Sequence, residues 1–148
     1  MFFRFEFWFP PFFCCVWLTI FYIAARLGGW HAMGLRFRTT DEPPGERFAW
    51  ASIGMGMSNY GGCTTIAVSP RGLYLKLFAP FRFFHPPLLI PWSEIRVTKI
   101  HQGRIVKNAL VEVGRPVLAS VTLPLKIIEA ASEYLLQAGD QADNQEQP

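Results

Sequence analysis

The sequence predicts a mainly β domain of seven strands, preceded by one N-terminal transmembrane helix and closed by one C-terminal helix. Three observations carry this prediction. The segment from Phe7 to Ala25 contains no charged residue. Short apolar stretches then alternate with turn-forming residues at intervals of roughly 8 to 12 positions, which is typical of a β barrel or sandwich. After Pro124, apolar residues recur every three or four positions, the period of an amphipathic helix.

The N-terminal apolar segment is long enough to cross a membrane. A bilayer core needs roughly 20 helical residues, and a helix at about 11-30 meets that requirement. Trp8 and Trp30 then flank the helix, as interfacial aromatic residues do. A cleaved signal peptide and a helix lying in the membrane interface are the other two interpretations. The spanning helix fits best, so we expect residues 1-33 to be a membrane anchor that contacts the lipid bilayer.

Arginines on the two sides of the apolar segment favour one orientation. Arg26, Arg36 and Arg38 follow the segment, whereas Arg4 precedes it. Because basic residues accumulate on the cytoplasmic side of a membrane, the domain after the helix is expected in the cytoplasm. The prediction is a single-pass protein of the cytoplasmic (inner) membrane.

A linker and a β domain are expected after the anchor. Turn-forming and charged residues mark 34-45 as the linker, and the folded domain is predicted at 46-138. The clearest hairpin has its turn at Ser69 to Gly72, where Pro presets φ and Gly accepts a positive φ. Its two strands are expected at 64-68 and 73-78. The remaining strands are expected at 47-52, 88-90, 95-100, 105-113 and 117-123.

Two further segments are expected to be irregular. The glycine-rich stretch from Gly54 to Gly62 is predicted to be a long loop between the first two strands. The C-terminal helix is expected to stop before Gly139, which leaves 139-148 as a disordered polar tail. Trp92 is predicted to be an anchor of the hydrophobic core.

Charge and composition argue against several functional classes. The chain has 14 Lys and Arg against 11 Asp and Glu, with a net charge of +3. No basic run or aromatic stacking platform accompanies that charge, so nucleic acid is not an expected partner. The three cysteines and three histidines lack the spacing of a disulfide framework or a metal site. No nucleophile and base pattern or phosphate loop is present, so we expect neither an enzyme nor a cofactor.

Two short stretches resemble a known fold. The residues from Gly72 to Leu75 read GLYL, and those from Ile90 to Ile95 read IPWSEI. Together with seven strands and a C-terminal helix, they resemble the pleckstrin-homology-like (PH-like) superfold, in particular small bacterial membrane-anchored proteins with a PH-like or GRAM-like domain. The resemblance covers 46-138 and implies a fold and no activity. The first two strands lack the basic cluster that phosphoinositide-binding members carry between them.

The candidate contact site is a loop between prolines that combines aromatic and basic side chains. An exposed cluster of this kind is typical of a surface that binds a membrane or a protein, although some of its rings could instead fold into the core. The residues are Phe81, Arg82, Phe83, Phe84 and His85.

These observations lead to two expectations about function. The first is a membrane-tethered, non-enzymatic binding module whose domain contacts anionic lipid or a membrane protein. A weak contact suffices in that case, because the tether raises the local concentration. The second is a structural or accessory subunit of a larger membrane assembly that packs through its helix.

Overall fold

The computed structural model describes residues 3–56, 58–79, 82, 84–114 and 116–146, and within these ranges the side chains of residues 10–141 and of residue 144. Two helices come first, α1 (Phe3–Leu27) and α2 (Trp30–Phe37). Two more, α3 (Leu125–Ala130) and α4 (Ser132–Glu146), end the described chain. Between them lie β1 (Glu46–Met55), β2 (Ser58–Ser69), β3 (Gly72–Leu77), β4 (Leu88–Ile90), a short 3-10 helix (Trp92–Glu94), β5 (Ile95–Gln102), β6 (Lys107–Val113) and β7 (Ala119–Pro124).

The seven strands form one antiparallel sheet in the order β4-β3-β2-β1-β7-β6-β5. Strands β1 to β4 make one meander and β5 to β7 make a second. The two meanders join where Gly54 and Met55 of β1 pair with Thr122 and Val121 of β7. The sheet curls into a half-barrel with β4 and β5 as its edges. The expectation of a mainly β fold with seven strands and C-terminal helical structure is confirmed.

The first hairpin is longer than the sequence predicts. Strands β1 and β2 stay paired as far as Met55 with Ser58, around a turn at Gly56, where φ is 58°. The expected loop at 54–62 was therefore wrong, because most of it is strand. Pairing across the sheet outweighs the low strand propensity of its glycines.

Strand β1 contains an irregularity that turns one tryptophan outward. The register with β2 shifts between Phe48 and Ala51, and again between Ala51 and Ile53. Within the first shift Trp50 has a φ of 56°, a conformation that is rare for a bulky residue. A bulge of this kind redirects a side chain, and the Trp50 side chain is 68% exposed.

Helix α2 belongs to the hydrophobic core of the β domain. Trp30 and Met33 are fully buried and Phe37 nearly so, in one cluster with the inward residues of the sheet. The Trp30 indole Nε1 donates a hydrogen bond to the Pro86 carbonyl oxygen at 2.9 Å. Two expectations are corrected here: residues 34–37 belong to a helix packed on the core and not to a linker, and the Trp30 side chain is buried and not interfacial. The Trp8 side chain lies outside the described residues.

A pair of glycines separates α1 from α2, where the sequence predicts one helix at about 11-30. Helix α1 starts at Phe3, contains Pro10 and Pro11, and ends at Leu27. Gly29 then adopts a left-handed φ of 87°. A Cβ at Gly28 would lie 2.9 Å from the Met55 carbonyl oxygen, so the chain turns where only glycine fits against the sheet.

The predicted hairpin and the predicted core tryptophan are both confirmed. Ser69 pairs with Gly72, and the Ser69 hydroxyl donates to the Gly72 carbonyl oxygen at 2.9 Å. Trp92 is 7% exposed, and its indole Nε1 donates to the Ser69 carbonyl oxygen at 2.7 Å. The Trp92 ring also stacks on Tyr134 of α4, with 5.7 Å between centroids.

The C-terminal helical segment differs from its prediction at two points. The helix is interrupted at Ala131, which is fully buried, so it consists of α3 and α4. Helix α4 continues through Gly139 to Glu146, beyond the expected stop. Gly139 therefore lies inside the helix and does not end it. The expected disordered tail is helical from 139 to 146, and residues 147 and 148 lie outside the described chain.

Candidate functional site

The candidate site lies where α1 meets the β domain. Helix α1 contains an 18-residue window, Pro10–Leu27, that is long and apolar enough to cross a membrane, and 6% of this window is buried. Its last turns are packed, however. Ala25 is 1% exposed, and the Ser58 hydroxyl of β2 donates to the Ala24 carbonyl oxygen at 3.0 Å. The apolar helix is thus exposed along most of its length and fixed to the domain at its C-terminal end.

A cluster of four rings forms the contact between α1 and the domain. His85 lies with its ring centroid 6.0 Å from Phe21, 5.4 Å from Trp30 and 5.2 Å from Tyr60. The Tyr60 hydroxyl and the His85 Nε2 atom are hydrogen-bonded at 2.8 Å. Burial raises the pKa of Tyr60 to about 12. The cluster ties the first helix, the second helix and the loop before β4 together.

This packing places the residues of the predicted contact loop in different environments, some buried and some exposed. His85 is 1% exposed, so its expected role in an external contact is corrected to one in the core. Phe84 is 48% exposed and has a φ of 63°, and its ring meets Tyr22 of α1 edge-on at 5.3 Å. Arg82 is exposed, and its Nε donates to the Leu77 carbonyl oxygen at 3.3 Å. Phe81 and Phe83 lie outside the described residues.

Three arginines line a cleft of about 280 Å³ beside the end of α1, which we call the arginine cleft. Arg26 comes from α1, Arg38 follows α2, and Arg82 belongs to the predicted contact loop. The described residues that line the cleft include no Asp or Glu. Guanidinium groups bind phosphate and carboxylate oxygens through paired hydrogen bonds, so the arginine cleft is suited to an anion.

The neighbouring Arg36 is engaged elsewhere. Its Nη2 atom lies 3.0 Å from the Glu94 carboxylate, which ties α2 to the short 3-10 helix. The Arg26 guanidinium donates to the Tyr22 hydroxyl from Nε and Nη2, at 3.1 and 3.0 Å, and lies over the Tyr22 ring. These donations hold Arg26 beside the exposed Phe84 ring. No local pattern in the sequence indicates the arginine cleft, because Arg38 and Arg82 lie far apart along the chain.

A second cavity lies on another face of α1. This apolar groove has a volume of about 520 Å³ and runs between α1, residues 58–63 of β2, and the aromatic residues Trp50 and Phe78. Successive side chains of an α-helix are rotated by about 100° about its axis. On this basis, the α1 residues that line the groove point about 145° away from those that line the arginine cleft. The two cavities therefore flank the helix where it enters the domain.

The cysteines and histidines do not gather into a metal site in the described part of the chain. Among the described residues, no group of three or more His, Cys, Asp and Glu side chains could hold a metal ion. Cys14 and Cys15 are exposed on α1, and Cys63 is half-buried in the apolar groove. Burial raises the pKa of the Cys63 thiol, so it stays protonated at neutral pH.

Comparison with known proteins adds no relative to these observations. No protein-family model matches the chain, and neither a curated protein nor a solved structure is significantly similar to it.

Proposed function

We propose that this protein is a membrane-tethered, non-enzymatic binding module whose β domain is held against the anionic cytoplasmic face of a bilayer. One observation carries the proposal: the apolar window of α1 is 6% buried, yet the helix ends inside the packed domain. A tether built in this way holds the domain close to the membrane in a defined orientation.

The packing of α1 supports a spanning helix over a cleaved leader, and it also argues against the core helix of a soluble protein. The core helix of a soluble protein is mostly buried, whereas the side chains of Phe12, Phe13 and Ile20 are more than half exposed. A cleaved leader is expected to be separable from the mature domain. Here Ala25 is buried and the Ala24 carbonyl oxygen accepts a hydrogen bond from β2. Removal of α1 would uncover these contacts.

The sheet topology supports a PH-like identity for the domain. A four-stranded meander and a three-stranded meander share one curled sheet, and the C-terminal helices follow the last strand. Helix α4 packs on the short 3-10 helix through Trp92 and Tyr134. This is the arrangement that the resemblance in sequence implies, and it suits a scaffold for binding.

The arginine cleft supports anionic lipid as the partner of the domain. It lies at the end of the apolar window, where lipid headgroups meet a spanning helix, and Arg26 belongs to both. Each cation close to an anionic bilayer contributes about 1 kcal/mol to binding. The exposed rings of Phe84 and Tyr22 lie beside these cations and suit the membrane interface.

Flotation of a shortened chain with liposomes tests this proposal. A chain from Gly28 to Pro148 keeps α2, Arg38 and Arg82 but lacks the apolar window and with it Arg26. We expect it to float with anionic vesicles at low salt and to dissociate as the salt concentration rises. Replacing Arg38 and Arg82 by Gln should weaken binding by about 1 kcal/mol each, or roughly fivefold each.

Arg71→Gln is the matched control, because Arg71 lies in the β2–β3 turn and lines neither cavity beside α1. Circular dichroism establishes that every variant is folded. If Arg71→Gln lowered flotation as much as replacement of Arg38 or Arg82 does, net charge alone would explain the binding. A folded chain that does not float with anionic vesicles contradicts lipid contact by Arg38 and Arg82, the two cleft arginines that it keeps, and favours a protein partner, as in a larger membrane assembly.

A further inference from the structure

We propose that the apolar groove holds one hydrocarbon chain of a bilayer lipid, which enters sideways along α1. This inference rests on the proposed membrane tether. The groove has α1 as one wall, through Ile20, Phe21 and Ala24, and these residues belong to the window Pro10–Leu27. A groove that opens beside a spanning helix faces the lipids that surround that helix.

Two glycines line the groove and leave open space beside their backbone. Gly61 and Gly62 line it from within β2, and a Cβ added at either would meet no atom within 4 Å. Glycine weakens the interior of a strand, and there it often marks the close approach of a ligand or another backbone. The volume of about 520 Å³ lies in the range of ligand sites, roughly 300 to 1,000 Å³.

The chemistry of the walls selects an apolar occupant. No Asp, Glu, Lys or Arg is among the described residues that line the groove. Two of its polar side chains already have partners, since the Ser58 hydroxyl donates to Ala24 and the Tyr60 hydroxyl bonds to His85. A polar ligand would lose its hydrogen bonds to water and recover few of them, which is costly. A hydrocarbon chain makes no hydrogen bonds to water and therefore loses none.

The outer wall of the groove is aromatic and locally strained. Trp50 and Phe78 are 68% and 49% exposed, with 5.4 Å between their ring centroids. The bulge in β1 and the positive φ of Trp50 present this ring outward instead of into the core. Strained backbone is retained where the surrounding structure or function requires it. Tryptophan is also the residue preferred at the membrane interface, which is where this wall would lie.

Photolabelling of the full chain tests the inference. The protein is reconstituted into vesicles of phosphatidylcholine and phosphatidylglycerol that contain a phosphatidylcholine with a diazirine on one acyl chain. After irradiation, trypsin separates α1 (residues 5–26) from β1 and β2 (residues 48–71), because cleavage follows Lys and Arg. We expect lipid adducts on both peptides, with those on the second peptide located at residues 58–63.

Gly61→Leu is the variant that adds a side chain at the wall of the groove, since Gly61 lines it and a Cβ there meets open space and no strained φ. It should lower labelling of residues 58–63 by about fivefold or more, because the added side chain occupies the volume of the lipid chain. Labelling of α1 should not change. Gly139→Leu is the matched control, because Gly139 is equally open but lies on α4.

The outcomes separate this inference from the tether on which it rests. Adducts on α1 alone overturn the groove proposal and leave the tether intact; this pattern is expected if another protein segment fills the groove. Undiminished labelling of residues 58–63 in Gly61→Leu also overturns it, because the label then reaches only the surface. Adducts on neither peptide contradict the tether itself.

Discussion

His85 is the residue whose role changes most between sequence and structure. A histidine between aromatic residues and prolines indicates an exposed contact loop, yet His85 is 1% exposed. Its ring lies among Phe21, Trp30 and Tyr60, and its Nε2 atom is bonded to the Tyr60 hydroxyl. One buried hydrogen bond thus joins β2 to the segment before β4.

Loss of that hydrogen bond gives a prediction at the residue scale. Tyr60→Phe should lower the free energy of unfolding by about 1 to 3 kcal/mol at neutral pH, because it leaves the buried His85 Nε2 atom without this partner. Thermal unfolding in detergent measures the change. Tyr74→Phe is a suitable comparison, since Tyr74 is also a buried tyrosine of the sheet.

The same tyrosine should make the fold sensitive to alkali. Its pKa is about 12 in the folded chain, against 10.0 for an ordinary tyrosine. Between these values the unfolded chain loses the phenolic proton and the folded chain keeps it, so stability falls as the pH rises. Between pH 10 and pH 12 the unmodified protein should therefore lose more stability than Tyr60→Phe. Parallel losses in the two proteins would contradict this assignment.

Helix α2 is the element that was predicted wrongly from the sequence, since its residues were divided between the membrane anchor and the linker. Its residues precede a stretch rich in turn formers, and its first residue, Trp30, follows the apolar segment as an interfacial tryptophan would. The half-barrel nevertheless needs apolar side chains to fill it, and α2 supplies Trp30, Met33 and Phe37. A shortened chain that began at Gly45, the last residue of the predicted linker, would lack this part of the core.

Two tryptophan substitutions test the role of α2. Trp30→Ala should destabilise the domain by about 3 to 5 kcal/mol, because it opens a cavity in the core. Trp50→Ala changes the same side chain at an exposed position and should change stability by about 0.5 kcal/mol or less. Chemical denaturation of the full chain in detergent measures both. Similar values for the two variants would mean that α2 is a linker after all.

At the scale of the whole molecule, the junction of α1 with the domain determines how the parts are oriented. Gly28 and Gly29 lie against β1 and β7, so the apolar helix and the half-barrel meet in a fixed geometry and not through a flexible linker. If α1 spans a bilayer as we propose, the arginine cleft and the apolar groove both face the membrane. Headgroup and acyl chain would then be contacted on two faces of the same helix.

The proposed orientation can be measured on the intact protein. In a chain whose three native cysteines are replaced by alanine, Gly139→Cys places one thiol on exposed α4. Because arginines follow the apolar segment, the positive-inside rule predicts a cytoplasmic domain. A membrane-impermeant maleimide should then label the introduced thiol only after the cells are lysed. Labelling of intact cells would contradict this prediction and place the domain on the opposite side of the membrane.

Part of the fold was predictable from local patterns in the sequence. The β2–β3 hairpin follows from Pro70 and Gly72 at defined turn positions, and the burial of Trp92 follows from a large apolar ring beside a strand. The extent of the first hairpin was not predictable, because Gly61 and Gly62 indicate a loop by propensity alone. Pairing of the residues on either side, Tyr60 with Ile53 and Thr64 with Ala51, makes that segment part of a strand.

By itself, the sequence determined that this protein has an apolar N-terminal helix, a mainly β domain of seven strands and a helical C-terminal segment. Hydrophobic period and turn chemistry are local properties, and they suffice for these features. Tertiary structure alone decided that α2 fills the half-barrel, that His85 is buried, and that an arginine cleft and an apolar groove flank α1. Each of these depends on residues far apart in the chain, such as Arg38 and Arg82, which only the folding of the sheet around the helices brings together.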